Sequence, residues 1–127
     1  MKVLIVDDSA TMRAILKKTL TMCSIGIEEI LQAKNGQEGL DVLKKNHVDL
    51  VMADINMPVM SGLQMIEKIR EIPELAETPI LVVSSDSSDT RKDELTSKSV
   101  RYVRKPFTPE AIADEINALI EEKQHAD

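Results

Sequence analysis

Five short apolar runs, continuous rather than alternating, constrain this chain more than any other feature. They are Val3 to Val6, a less clean run from Ile27 to Ala33, Val48 to Ala53, Ile80 to Val83, and Val100 to Val103. A strand with one solvated face alternates polar and apolar residues, whereas an unbroken run implies cover on both faces, the habit of parallel sheets. Between the runs the apolar residues take helical spacing: Met12, Ile15, Leu16 and Leu20; Leu40 and Leu43; Leu63, Ile66 and Ile69; Ile112, Ile116, Leu119 and Ile120. Five strands alternating with five helices imply right-handed crossovers and predict an α/β, doubly wound sandwich with helices on both faces of a five-stranded parallel sheet.

Local signals refine this reading. Asn35-Gly36 could mark a hairpin, but a helical pattern follows, so Asn35 is read as a helix cap. Pro79 opens the fourth strand. The segment Asp86 to Ser99 should hold the fourth helix, yet Leu95 is its one clearly apolar side chain, so weak packing and low local stability are expected there. Arg101 and Arg104 make the last strand too charged for a central place, which predicts an edge strand.

Composition narrows the function classes. Residues 1–127 are read as a single domain, and with no Trp, one Tyr and one Phe the 43% hydrophobic content predicts an aliphatic core. Cys23 stands alone, as a packed small hydrophobe, and with two histidines (His47 and His125, both read as surface residues) a disulfide or structural zinc site is disfavoured. No window approaches the roughly 18 apolar residues of a membrane span, and MKVLIVDDS breaks early into charge, unlike a signal peptide. The net charge of -6 and pI near 5.0 argue against nucleic-acid binding. A cytoplasmic, monomeric protein whose partners are proteins, cations or small phosphates is expected.

In open parallel sheets, sites form beyond the carboxyl ends of the strands. Asp7 and Asp8 follow the first run, Asp54 the third, Ser84 the fourth and Lys105 the fifth. Clustered carboxylates repel by on the order of a few kcal/mol per nearby pair at an effective dielectric near 20. A hard divalent cation with oxygen ligands offsets that, and Mg²⁺ suits a site of few carboxylates, retained waters and a phosphate oxygen, with Mn²⁺ as a substitute. Lys105 adds positive charge and Ser84 a hydrogen-bond donor for a phosphoryl group. Asp54, central among the strands, is the natural nucleophile for an acyl phosphate, and Asp7-Asp8 the metal clamp. Taken singly, the acidic pair would be a helix cap, Ser84 a loop hydroxyl and Lys105 a solvated charge. Their convergence at matching strand ends favours the site.

These residues carry a resemblance. The acidic pair Asp7-Asp8 in DDSATMRAIL, the DINMP run followed by Gly62, Ser84, and Lys105-Pro106-Phe107 are similar to the motifs of the receiver domain of bacterial two-component response regulators, of the stand-alone CheY-like chemotaxis type. The resemblance implies the strand order 2-1-3-4-5 of the flavodoxin-like fold. It implies Asp54 as phosphoacceptor, fed by a sensor histidine kinase of chemotaxis type or a small phosphodonor. Mg²⁺ would be held by Asp7, Asp8, Asp54 and the Asn56 backbone carbonyl. Ser84, Ser85 and Lys105 would contact the phosphoryl group, the Lys105-Pro106 bond would be cis, Ser84 and Tyr102 would form the switch pair, and Asn56 and Asp86 would tune phosphoryl lifetime. A downstream protein such as the flagellar motor switch would read the face of the fourth helix, fifth strand and fifth helix, with a phosphatase as a further partner.

Two departures stand out: Ser85 where the family usually has Ala, and Lys98 where Gly commonly ends the fourth helix. Gly62 is expected to permit the turn into its helix, and Met57 and Met60 to fill gaps. Arg91, Lys92, Lys98, Arg101 and Arg104 are either solvated charge or a basic face for an acidic partner. The alternatives are a phosphorelay intermediate, a receiver cut from a longer regulator, a phosphorylation-independent scaffold and, from another class, a Mg²⁺-dependent phosphohydrolase. VDDSATM lacks the D-x-D-x-T run of haloacid-dehalogenase-type enzymes, and no Gly-rich loop follows the first strand to suit a nucleotide-binding module.

Overall fold

The continuous runs become strands that pair side by side in one parallel sheet. A computed structural model describes residues 1–85 and 99–124, with side chains of the last helix described as far as residue 122. The elements are β1 (Lys2–Val6), α1 (Ala10–Met22), β2 (Glu29–Ala33), α2 (Gly36–Lys45), β3 (Leu50–Ala53), α3 (Gly62–Glu71), β4 (Ile80–Ser84), β5 (Val100–Arg104) and α4 (Pro109–Gln124), the last being the fifth helix of the sequence reading. The sheet order is β2-β1-β3-β4-β5, every pair parallel, with β5 at an edge as its arginines predict. The fourth helix expected between Asp86 and Ser99, and with it Arg91, Lys92 and Lys98, lies outside the described residues, as does His125.

Because side chains alternate along each strand, the sheet separates two aliphatic cores. Leu4, Val6, Val51, Ala53, Ile80 and Val82 face α2 and α3, meeting Leu40, Leu43, Met65, Ile66 and Ile69. Val3, Ile5, Leu50, Met52, Leu81 and Val83 face α1 and α4, meeting Leu16, Leu20, Ile112, Ile116 and Leu119. Val3 to Val6 are wholly buried, which is why this run shows no alternation.

Short polar signals set the helix starts. Ser9 accepts from the Met12 N–H, Asn35 from the Glu38 N–H, and Ser61 from the Gln64 N–H, whose side chain returns a bond to the Ser61 N–H. Asn35 is therefore a cap and no hairpin forms. The next residue must be glycine, since a β-carbon on Gly36 would lie 2.9 Å from Met60 Cγ, a buried gap-filler as expected.

The third strand starts later than its apolar run. Asp49 leaves the ladder pattern by accepting the Lys2 N–H on its carboxylate at 2.7 Å while its own N–H donates to the Lys2 carbonyl at 2.8 Å. The basic-face reading of β5 needs correction at Arg101. Its guanidinium donates to Glu115 and, at 2.9 Å, to Glu122, both on α4, so this charge is neutralised within the chain. Arg70, which no sequence pattern singled out, reaches from α3 to the carbonyls of Ala76 and Thr78 at 3.0 Å each and of Ser99 at 3.5 Å. It ties the approach to β4 to the approach to β5.

Candidate functional site

The ladder itself sets the height of two carboxylates. Just past β1, the Asp7 N–H still donates to the Ala33 carbonyl, and just past β3 the Asp54 N–H donates to the Val6 carbonyl, each at 3.1 Å. Both residues thus emerge at the same level of the sheet, on adjacent strands. Asp7, Asp8 and Asp54 each offer a carboxylate oxygen to a cluster whose oxygens lie within 4.8 Å of one another.

Their environments differ sharply. Asp8 is exposed, Asp54 half-buried and Asp7 only 1% exposed. Asp7 Oδ1 accepts the Ser9 N–H at 2.9 Å, but Oδ2 has no hydrogen-bond partner among the described residues. Burial pushes the Asp7 carboxyl above its ordinary pKa. The Ser9 N–H and Lys105 pull it back, while Asp54 and Asp8 push it further up. A buried oxygen acceptor without a donor, beside two more carboxylates, fits a hard divalent cation, which would satisfy the orphaned lone pairs and relieve the repulsion.

The ammonium of Lys105 serves part of that need. It stands 3.6 Å from Asp7 Oδ2 and 3.7 Å from Asp54 Oδ2. Asp54 Oδ1 accepts the Ile55 N–H at 2.7 Å, so the carboxylate is oriented with Oδ2 toward Lys105. The Lys105-Pro106 peptide bond is cis. Ser84 is fully buried at the end of β4, and its carbonyl accepts both the Lys105 N–H, at 2.9 Å, and the Tyr102 hydroxyl, at 3.3 Å. The Tyr102 ring, half-buried, packs against the core on the α2 and α3 side. Asn56 and Ser85 are exposed, whereas Asp86 lies outside the described residues.

The loop from Asp54 into α3 is held tightly. A β-carbon on Gly62 would fall within the Asp54 backbone, and the Gly62 N–H donates to the Ile55 carbonyl at 2.8 Å. The glycine is required by this close approach and not by a left-handed turn, since its φ is not positive. Val59 carries the strain instead. Its φ is 69°, and the Met60 N–H donates across it to the Pro58 carbonyl at 2.7 Å, a γ-turn at a β-branched residue.

Arg13 escaped the sequence reading. From the first turn of α1 it donates to the Asp7 carbonyl at 2.6 Å and to Gln32 Oε1 at 3.1 Å. The available signal was directional: helix side chains lean toward the helix N-terminus, so an arginine one turn in can reach the preceding loop.

The family model described as the response regulator receiver domain matches residues 3–117. This chain belongs to the response regulator receiver domains. The receiver is 36% identical over 122 residues to the chemotaxis protein CheY homolog of Campylobacter jejuni, covering 94% of this chain and 92% of that protein. It is 32% identical to the solved chemotaxis response regulator CheY4 of Vibrio cholerae, with a TM-score of 0.81 over 93% of this chain and 97% of the other. It is also 36% identical over 110 residues to the autoinducer 1 sensor kinase/phosphatase LuxN of Vibrio campbellii, covering 87% of this receiver and 12% of that larger protein. Among the described residues, no helix is long and apolar enough to cross a membrane.

Proposed function

We propose that this receiver accepts a phosphoryl group on Asp54 and thereby changes its affinity for a downstream protein. The observation that carries the reading is the orientation of Asp54: Oδ1 is held by the Ile55 N–H, leaving Oδ2 toward Lys105 beside two further carboxylates. Asp54 Oδ2 would attack the phosphorus of a phosphohistidine or acetyl phosphate in line. The new O–P bond forms as the bond to the donor's imidazole nitrogen or acetate oxygen breaks, and the leaving group departs with the electron pair. Asp7, Asp8, Asp54 and the Asn56 carbonyl would hold Mg²⁺, or Mn²⁺ in its place, which when bound supplies neutralisation of the phosphoryl oxygens.

Lys105 would remain as the fixed cation on the side of the incoming group, and Ser84 and Ser85 as donors to it. Tyr102 is already joined to the Ser84 backbone by its hydroxyl, so movement of the β4 end toward a new dianion would release or redirect the ring. The likeness to chemotaxis proteins supports a sensor histidine kinase of chemotaxis type upstream and a target such as the flagellar motor switch at the β5 and α4 surface. The likeness to part of a sensor kinase/phosphatase supports a second reading, a relay intermediate that passes its group to a histidine-bearing protein.

Incubation with acetyl phosphate and Mg²⁺ should add one phosphoryl group by mass, and Asp54→Asn should abolish it. Persistent labelling of that variant would refute the assignment. Transfer of the label onward to a histidine phosphotransfer protein would favour the relay.

A further inference from the structure

Arg13 closes a ring around the Asp7 peptide. Among the described residues no strand residue is registered opposite Asp7, so its carbonyl has left the ladder, and Arg13 Nη1 donates to it at 2.6 Å. The Asp7 N–H goes to Ala33, and the neighbouring Gln32 accepts from Arg13 Nε. Both main-chain polar groups of the residue that carries the buried carboxylate are therefore fixed, the N–H by β2 and the carbonyl by Arg13. A planar guanidinium can direct donors to Asp7 and Gln32 together, a geometry a lysine ammonium cannot reproduce.

We propose that Arg13 is a positioning residue for the divalent cation. By pinning the Asp7 carbonyl to β2 it fixes the direction of the buried Asp7 carboxylate and its separation from Asp8, and so raises cation affinity even though its own charge opposes a second cation. This inference rests on the reading of Asp7, Asp8 and Asp54 as a Mg²⁺ site. Its effect would be expressed before any phosphoryl chemistry takes place.

Calorimetric titration of MgCl₂ into the unphosphorylated full chain tests it, comparing wild type with Arg13→Lys, Arg13→Met and Gln32→Leu, alongside urea unfolding of each in chelator. Both Arg13 variants should bind Mg²⁺ about tenfold more weakly, in the range seen for supporting partners of metal ligands, with a smaller loss for Gln32→Leu. Tighter binding by Arg13→Met with unchanged binding by Arg13→Lys would reduce Arg13 to a charge and overturn the proposal. So would lowered unfolding midpoints with equal Mg²⁺ affinities, the mark of a purely structural staple. If Arg13→Met does not fold, Arg13→Lys, which keeps stem and charge, decides alone. Wild-type protein that binds no Mg²⁺ would instead remove the metal-site reading, and this inference with it.

Discussion

The place a β-carbon would occupy on Gly62 is 2.2 Å from the carbonyl oxygen of Asp54, so the first residue of α3 and the proposed phosphoacceptor meet backbone to backbone. The neighbour is main chain, which cannot swing aside as a long side chain could. Gly62→Ala should therefore destabilise the chain by about 3 kcal/mol, the overpacking penalty outweighing a helix-propensity gain of at most about 1 kcal/mol. Urea unfolding would measure this, and a variant as stable as wild type would mean the loop relaxes freely.

Lys105 is the cation shared by Asp7 Oδ2 and Asp54 Oδ2. In Lys105→Ala phosphorylation and Mg²⁺ binding should respond in opposite directions. Phosphorylation by acetyl phosphate should slow by about a hundredfold, as when a preorganised charge donor is deleted. Mg²⁺ binding should tighten, because a competing positive charge has gone. Loss of both together would show that Lys105 shapes the cluster instead of serving the phosphoryl group.

Val59 combines a positive φ with 82% exposure. The left-handed conformation costs a residue with a β-carbon about 1–2 kcal/mol, and the extra unfolded-state entropy of glycine costs about 0.5–1 kcal/mol. Almost no packing is lost on truncation. Val59→Gly should thus raise stability by about 0.5–1 kcal/mol, and a lowered thermal midpoint would contradict the strain.

Asp49 should make stability pH-dependent. Its pKa is held below the ordinary carboxylate value chiefly by the Lys2 N–H, with burial opposing and His47 assisting. A lowered folded-state pKa means that the contribution is present above the unfolded value of about 3.9 and is lost as pH falls through the folded one. Wild type should exceed Asp49→Asn by about 1 kcal/mol at neutral pH, discounted for partial exposure, and the gap should narrow below about pH 4. A gap that is constant with pH would assign the effect to geometry alone.

The sheet was legible because burial on both faces erases alternation, as in Val3 to Val6 and Ile80 to Val83, and because these runs are too short for helices and recur between helical patterns. The convergence of Asp7, Asp8, Asp54 and Lys105 was legible for the same reason, since each follows a strand that ends at the same edge. What periodicity does not encode is where a long side chain ends. Arg13, Arg70 and Arg101 all bind partners distant in sequence, 19 residues for Arg13 and Gln32 and 21 for Arg101 and Glu122. Asp7 and Asp8 are alike in sequence yet opposite in exposure, because the chain turns from strand to helix between them. Gly62 was singled out, but its reason is a tertiary contact that no local rule contains.

Neighbouring residues of the edge strand look in opposite directions. Tyr102 leans on the aliphatic layer beneath α2 and α3, while Arg101 is gripped by the glutamates of α4. The rim of the sheet is therefore a seam where the two sides that the strands keep apart come within one residue of each other. A protein that clasps this seam meets, through two consecutive residues, a ring seated on one core and a guanidinium held by the helix that covers the other, and a shift of either would alter its grip.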